Sequence, residues 1–157
     1  MKICDVLSKE RIFAKIEINS KETCINSLID LFKGDSRVND IETLRSAVHE
    51  RETIMSTGIG NGFAIPHAKT AGVNEMIAGF ATLKNPIEFE ALDGQPVELI
   101  FLLVGEENAV GPHIKMLSRI SRLMNKEAFR ERLINAVDVD EIYTIFEEEE
   151  KNLLEIS

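Results

Sequence analysis

Tryptophan is absent from the 157-residue chain, tyrosine occurs once and cysteine only twice. Cys4 and Cys24 have no spacing that would hold a metal or form a redox pair. Cys24 lies among apolar residues, so both thiols read as reduced and structural, which suits the cytoplasm. No apolar run approaches the ~20 residues of a membrane span, and no signal-like stretch follows Lys2. The expectation is a soluble, cytoplasmic protein without direct membrane insertion. Basic residues are also scarce: 18 Lys and Arg stand against 27 Asp and Glu, a formal charge of −9. That excludes a general nucleic-acid binder, which needs a basic face, and suits partners with basic surfaces. Internal repeats, low-complexity segments and linkers are lacking too, and the length fits a single domain, 1–157, able to bury a core.

Chemistry concentrates in one stretch, Ser56-Thr57-Gly58-Ile59-Gly60-Asn61-Gly62-Phe63-Ala64-Ile65-Pro66-His67. Three of the nine glycines fall here within five residues. Glycine permits positive φ and close approach, while Pro66 fixes its own φ and biases Ile65 toward extended geometry. The segment therefore predicts a tight, irregular loop running into a short extended piece that ends at His67. Imidazole can be neutral and nucleophilic near pH 7. The glycine spacing is wrong for a dinucleotide fingerprint, the run follows a helix rather than a strand, and a Walker lysine is absent. A zinc site built on His67 and His113 would lack further ligands. No metal and no cofactor are expected.

Only three histidines are present, at 49, 67 and 113. His113 directly follows Gly111-Pro112 at a predicted helix start, where free N–H groups and the positive dipole end favour an anion. It also shares a helix face with Leu117, Ile120 and Met124, as a core histidine would. His49 has no such context and is expected on the exposed side of a helix. Arg51 precedes the glycine loop; its planar guanidinium suits phosphate oxygens, or it pairs with Glu50 or Glu52 at the surface. Thr57 and Asn61 are weaker candidates for hydrogen bonds around His67.

The rest of the chain predicts an α/β domain with helices covering a central sheet. Arg11 to Ile18 alternate as a strand. Ser20 caps a helix over about 21–33 and Asp40 caps another through about Arg51. Met76 to Leu83 reads as a strand broken by Asn85-Pro86, and Val97 to Val104 as the central strand. Pro112 opens a helix to about Met124, Asn125 caps one to about Val137, and Asp138 or Asp140 starts the last. Glu147 to Glu150 would put negative charge at the end of that helix, where the dipole disfavours it, so the acidic tail 147–157 is expected to fray.

Ser56 to His67, preceded by Glu50-Arg51-Glu52, resembles the active-site region of the IIA components of the bacterial sugar phosphotransferase system. The likeness is to the fructose/mannitol type, including its nitrogen-regulatory branch. It extends through Phe89-Glu90-Ala91-Leu92-Asp93-Gly94-Gln95-Pro96-Val97 and Gly111-Pro112-His113-Ile114-Lys115-Met116-Leu117, covering about residues 1 to 146. One departure is Ala68, where many members have glycine. The resemblance implies a mixed, mostly parallel sheet of about five strands flanked by helices, and a phosphotransferase whose catalytic residues are His67, His113 and Arg51. His67 would accept a phosphoryl group from the histidine-containing phosphocarrier protein and pass it to a cysteine of a IIB component for sugar uptake. The alternative it implies is a regulatory phosphoprotein in which the state of His67 controls binding to other proteins. The lack of an attached IIB or membrane domain in the sequence leans toward that alternative.

Overall fold

A computed structural model describes residues 1–156, and side chains through Leu154. The elements run α1 (Ile3–Val6), β1 (Leu7–Ile16), α2 (Lys21–Asp30), α3 (Ile41–Ile54), β2 (Gly58–Gly60), β3 (Phe63–Ala64), β4 (His67–Thr70), β5 (Ile77–Ile87), β6 (Val97–Glu106), α4 (Val110–Met124), α5 (Glu127–Asn135) and α6 (Val139–Ile156). They form an α/β domain around one mixed sheet of order β1-β5-β6-β3-β2, with β4 also on β6. The pairs β1–β5, β3–β6 and β4–β6 are parallel; β5–β6 and β2–β3 are antiparallel. β3 and β4 together act as one interrupted strand beside β6, because Phe63 pairs with Leu99 and His67 with Leu103 in one unbroken register. Counted as one strand, β3 and β4 bring the sheet to the five strands that the resemblance implies; counted apart, the sheet has six.

The apolar runs of β5 and β6 are explained by cover on both faces. Along β6, Leu99, Phe101 and Leu103 face a core built with α1, α4, α5 and α6. The alternate residues Ile100, Leu102 and Val104 face a core built with α2 and α3. This is the period of two that a strand imposes. In the first core Phe146 packs against Phe80, Phe101 and Phe129, with centroids 5.0, 5.9 and 5.4 Å away, each near edge-to-face.

The expected caps at Ser20 and Asp40 are present: Ser20 Oγ accepts from Thr23 N, and Asp40 Oδ1 from Glu42 N and Thr43 N. Four boundaries differ from expectation. Residues 3–6 form a helical turn, and β1 begins at Leu7. β5 continues through Asn85-Pro86 to Ile87. Its pairing with β1 ends at Leu83 and its register with β6 is irregular between Thr82 and Ile87, so proline's missing N–H falls outside the regular ladders. Asn125 closes α4 rather than opening α5, its N–H bonding to the Leu123 and Ser121 carbonyls.

The fourth difference concerns the acidic run. Glu147 to Glu150 lie inside α6, which continues to Ile156; Ser157 is outside the described residues. Glu150 is buried, accepting the Ile3 N–H at 2.6 Å with the Arg119 guanidinium 3.4 Å away, while Glu148 and Glu149 pair with Arg132. Asp138 Oδ1 accepts from Glu141 N at the start of this helix.

Because Phe146 sits among three other rings, Phe146→Ala is expected to cost about 3–5 kcal/mol of unfolding free energy. Urea denaturation at pH 7 measures it; a loss below about 1 kcal/mol would contradict this packing.

Candidate functional site

The glycine loop is more regular than expected. β2 and β3 form a two-residue hairpin turning at Asn61-Gly62, with φ of 57° and 79°. Paired positive φ values are what such short turns need. Ala91 seats the hairpin: a Cβ on Gly58 would lie 2.9 Å from that of Ala91. Ser56 Oγ–H donates to the Phe89 carbonyl and Leu92 N–H to the Gly58 carbonyl. Asn61 uses its backbone N–H on the Asp93 carboxylate. Thr57 is bonded to Glu52, so neither weaker candidate is hydrogen-bonded to His67.

His67 begins β4 instead of ending an extended piece. It lines an open cleft of about 460 Å³ with Glu50, Arg51 and Ile54 of α3, Lys69 of β4, and His113, Ile114 and Leu117 of α4. The site thus gathers His67, His113 and Arg51, but leaves His49 elsewhere, with its Nε2 2.8 Å from Asn26 Oδ1. His67 Nδ1 is 2.7 Å from the Ile65 carbonyl oxygen. A carbonyl only accepts, so Nδ1 carries the proton and the neutral ring keeps a lone pair on Nε2. Burial pushes the His67 pKa down; the Ile65 bond opposes this, the charge of Arg51 adds to it and that of Glu52 opposes it.

The ring of His113 lies 5.8 Å from that of His67, tilted by 48°. It is 3% exposed, and neither of its nitrogens has a hydrogen-bond partner among the described residues. Its pKa is pushed down to about 4, chiefly by burial and then by the charges of His67 and Lys69. The open end of α4, expected to favour an anion, does not face the cleft: His113 N–H bonds to the Ala109 carbonyl, and the helix lines the cleft with its side.

Arg51 is half-exposed, and one of its Nη groups donates to the Met55 carbonyl at 2.8 Å. Among the described residues it has no carboxylate within ion-pairing distance, because Glu52 is engaged by Lys21 and Thr57. The surface-pair alternative therefore does not hold, and the remaining guanidinium N–H groups are free to meet an anion.

Two site residues escaped the sequence reading. Lys69 follows His67 by two, and strand periodicity would have placed both on one face. Gly105 pairs with Lys69 beneath His113; a Cβ there would fall 2.7 Å from His113 Nδ1. No local pattern announces that contact. Among the described residues no group of three His, Cys, Asp or Glu side chains could hold a metal, and no helix is long and apolar enough to cross a membrane.

Residues 5–149 match the family model described as phosphoenolpyruvate-dependent sugar phosphotransferase system, EIIA 2. The chain belongs to this IIA family. Members are phosphotransferase components that carry phosphoryl groups on histidine, and this chain is one of them. It is 38% identical over 151 residues to the fructose-specific EIIABC component of Bacillus subtilis, covering 96% of this chain but only 24% of that protein. It superimposes on the nitrogen regulatory protein IIA-Ntr of Neisseria meningitidis with a TM-score of 0.86 and 32% identity, covering 92% of this chain and 98% of that one. The mannitol IIA of Escherichia coli, solved in complex with phosphorylated mannitol IIB, shares the fold at a TM-score of 0.78 and 20% identity over 91% of this chain and 99% of that one. Relatives of this IIA domain thus include both sugar-specific and nitrogen-regulatory proteins.

Two outcomes follow from this geometry. Between pH 6.5 and 4 the unfolded chain protonates His113 while the folded chain does not, so stability falls as pH drops through that window. Lowering pH from 7 to 4.5 is expected to remove about 2 kcal/mol through this group. Urea midpoints at the two pH values check it: His113→Gln should lose less than the wild type, and equal losses would contradict the assignment. Gly105→Ala should displace the His113 ring and slow phosphorylation about tenfold or more while the fold persists; a wild-type rate would show that the ring is free to give way.

Proposed function

We propose that His67 is the phosphoryl acceptor of this IIA domain, with Nε2 as the attacking atom. The observation that carries this is the Nδ1–H bond to the Ile65 carbonyl, which leaves Nε2 as the nucleophilic nitrogen of a ring in the cleft. The donor is the histidine-containing phosphocarrier protein. A bond forms between His67 Nε2 and phosphorus as the bond from phosphorus to the donor imidazole breaks, each ring keeping the proton on its other nitrogen. The thiolate of a IIB cysteine then attacks phosphorus, the P–N bond breaks, and His67 returns to its neutral tautomer. The phosphoramidate retains its transfer potential, so the work of the site is positioning and charge neutralisation.

Arg51 supplies a planar fork for phosphoryl oxygens, and Lys69 adds a second cation on the same cleft. His113 stays neutral and donates one N–H to a phosphoryl oxygen. Its burial without a protein partner supports this role, since a desolvated donor gains most from a charge that develops beside it.

A second reading draws support from the match to almost the whole of a nitrogen regulatory protein. In it the same transfer to His67 occurs, and the phosphorylated state sets which protein binds the face around the cleft. Drainage of His67-phosphate into a sugar through a IIB component separates the two readings.

Incubation with phosphoenolpyruvate, enzyme I and the phosphocarrier protein should label the wild type in an acid-labile, base-stable form, as an N–P bond requires. His67→Ala should take no label; normal labelling would overturn the assignment. Arg51→Lys keeps charge but loses the fork and should slow labelling, with Arg51→Ala slower still. His113→Ala should slow transfer by about 10²–10³, and His113→Gln, which retains an N–H donor, should recover part of it. Single-turnover quench measurements check each rate; wild-type rates in both transfer steps would return Arg51 or His113 to a packing role.

A further inference from the structure

Glu52 is out of place by ordinary rules. It lies near the C-terminal end of α3, where the helix dipole disfavours negative charge, and it is 8% exposed, where a carboxylate is costly unless fully bonded. Its oxygens are met by three donors: Thr57 N–H at 2.9 Å, Thr57 Oγ1–H at 2.7 Å and Lys21 Nζ at 2.8 Å. Its neighbour Arg51 takes no part. Closing a helix end does not require a buried charge, since a neutral amide or backbone bonds serve as well.

What the charge holds is the segment that leads to the nucleophile. The Thr57 carbonyl accepts the Ile65 N–H at 3.1 Å, and the Ile65 carbonyl accepts the Nδ1–H of His67 at 2.7 Å. Lys21 completes the clamp: it pairs with Glu52 and lies over the Phe89 ring at 4.8 Å, while the Phe89 carbonyl accepts from Ser56 Oγ. Residues 56–58 are therefore gripped between the end of α3 and the strap at 89–92.

We propose that Glu52 is a positioning residue for His67: by clamping Thr57 through two hydrogen bonds, it fixes Ile65, and through the Ile65 carbonyl it holds the imidazole protonated at Nδ1 with Nε2 available in the cleft. The proposal rests on His67 as the phosphoryl acceptor. The Glu52 charge also opposes the effect of Arg51 on the ring, so its removal should lower the His67 pKa further, with Glu50, Arg51, Lys69 and the neutral His113 the other groups on the cleft.

The test uses Glu52→Gln, Thr57→Val and Thr57→Ser in the whole chain. Nitrogen NMR of labelled histidine reads the tautomer and pKa of His67 without any donor protein, so this part stands even if His67 proves not to carry the phosphate. Single-turnover transfer from the phosphorylated phosphocarrier protein then gives a saturating rate and a half-saturation concentration. Glu52→Gln is expected to lower the His67 pKa, mix the two tautomers and reduce the saturating rate by about 10- to 100-fold, with half-saturation unchanged. Thr57→Val should act in the same direction and Thr57→Ser should recover most of the loss, which decides the matter if Glu52→Gln does not fold. A folded Glu52→Gln with wild-type tautomer and saturating rate would overturn the proposal, as would Thr57→Ser losing as much as Thr57→Val.

Discussion

A hydrogen bond across one residue, from His67 Nδ1 to the Ile65 carbonyl, is the constraint on which the site depends. It selects the tautomer, aims the ring and uses a carbonyl that no sheet ladder claims. Ile65 and Pro66 interrupt the strand beside β6, yet the ladder of β3 and β4 along β6 keeps one register across the break, helped by the Leu103 N–H that bonds to the Pro66 carbonyl. The interruption is thus bonded throughout, in keeping with the rule that buried backbone groups find partners. A proline serves here because it has no N–H to leave unsatisfied.

The electrostatic setting follows from the same burial. A chain with net charge −9 gathers Arg51 and Lys69 around one cleft, while desolvation keeps both imidazoles below their ordinary pKa. A neutral ring preserves the lone pair on His67 Nε2, and under the proposed function the fixed cations would meet the charge of an incoming phosphoryl group. The arrangement would separate the two tasks of the proposed function: imidazoles kept neutral by burial do the bonding, and side chains that stay charged do the neutralising.

Much of this was legible in the sequence because its causes are local. Glycine and proline punctuation marked the loop before His67, Ser20 and Asp40 announced two helices, and the uninterrupted apolar run at Val97 to Val104 marked the central strand. What was not legible has partners far along the chain. The end of α6 was misplaced because Glu150 is stabilised by the N–H of Ile3, 147 residues away. The break at Pro86 was misread because only topology reveals that β5 has by then outrun β1. Gly105 fits its role through a contact with the His113 ring, and the bonding that buries Glu52 depends on how α3 meets the loop after it. Lys69 is different in kind; strand periodicity from His67 would have found it.

The unbroken register across Ile65-Pro66 also governs which parts of the chain can change length. Side chains on a strand alternate faces, so one residue inserted between Ala64 and His67 would exchange the directions of His67 and Ala68. The imidazole would then turn toward the core that Ala68 shares with α2 and α3, and a methyl group would face the cleft. A deletion would do the same. The turn at Asp93-Gly94 is restricted in another way: the Asp93 carboxylate accepts the Asn61 N–H of the hairpin, and Gly94 has a φ of 73°. Among homologues the spacing from Ala64 to His67 should therefore be invariant.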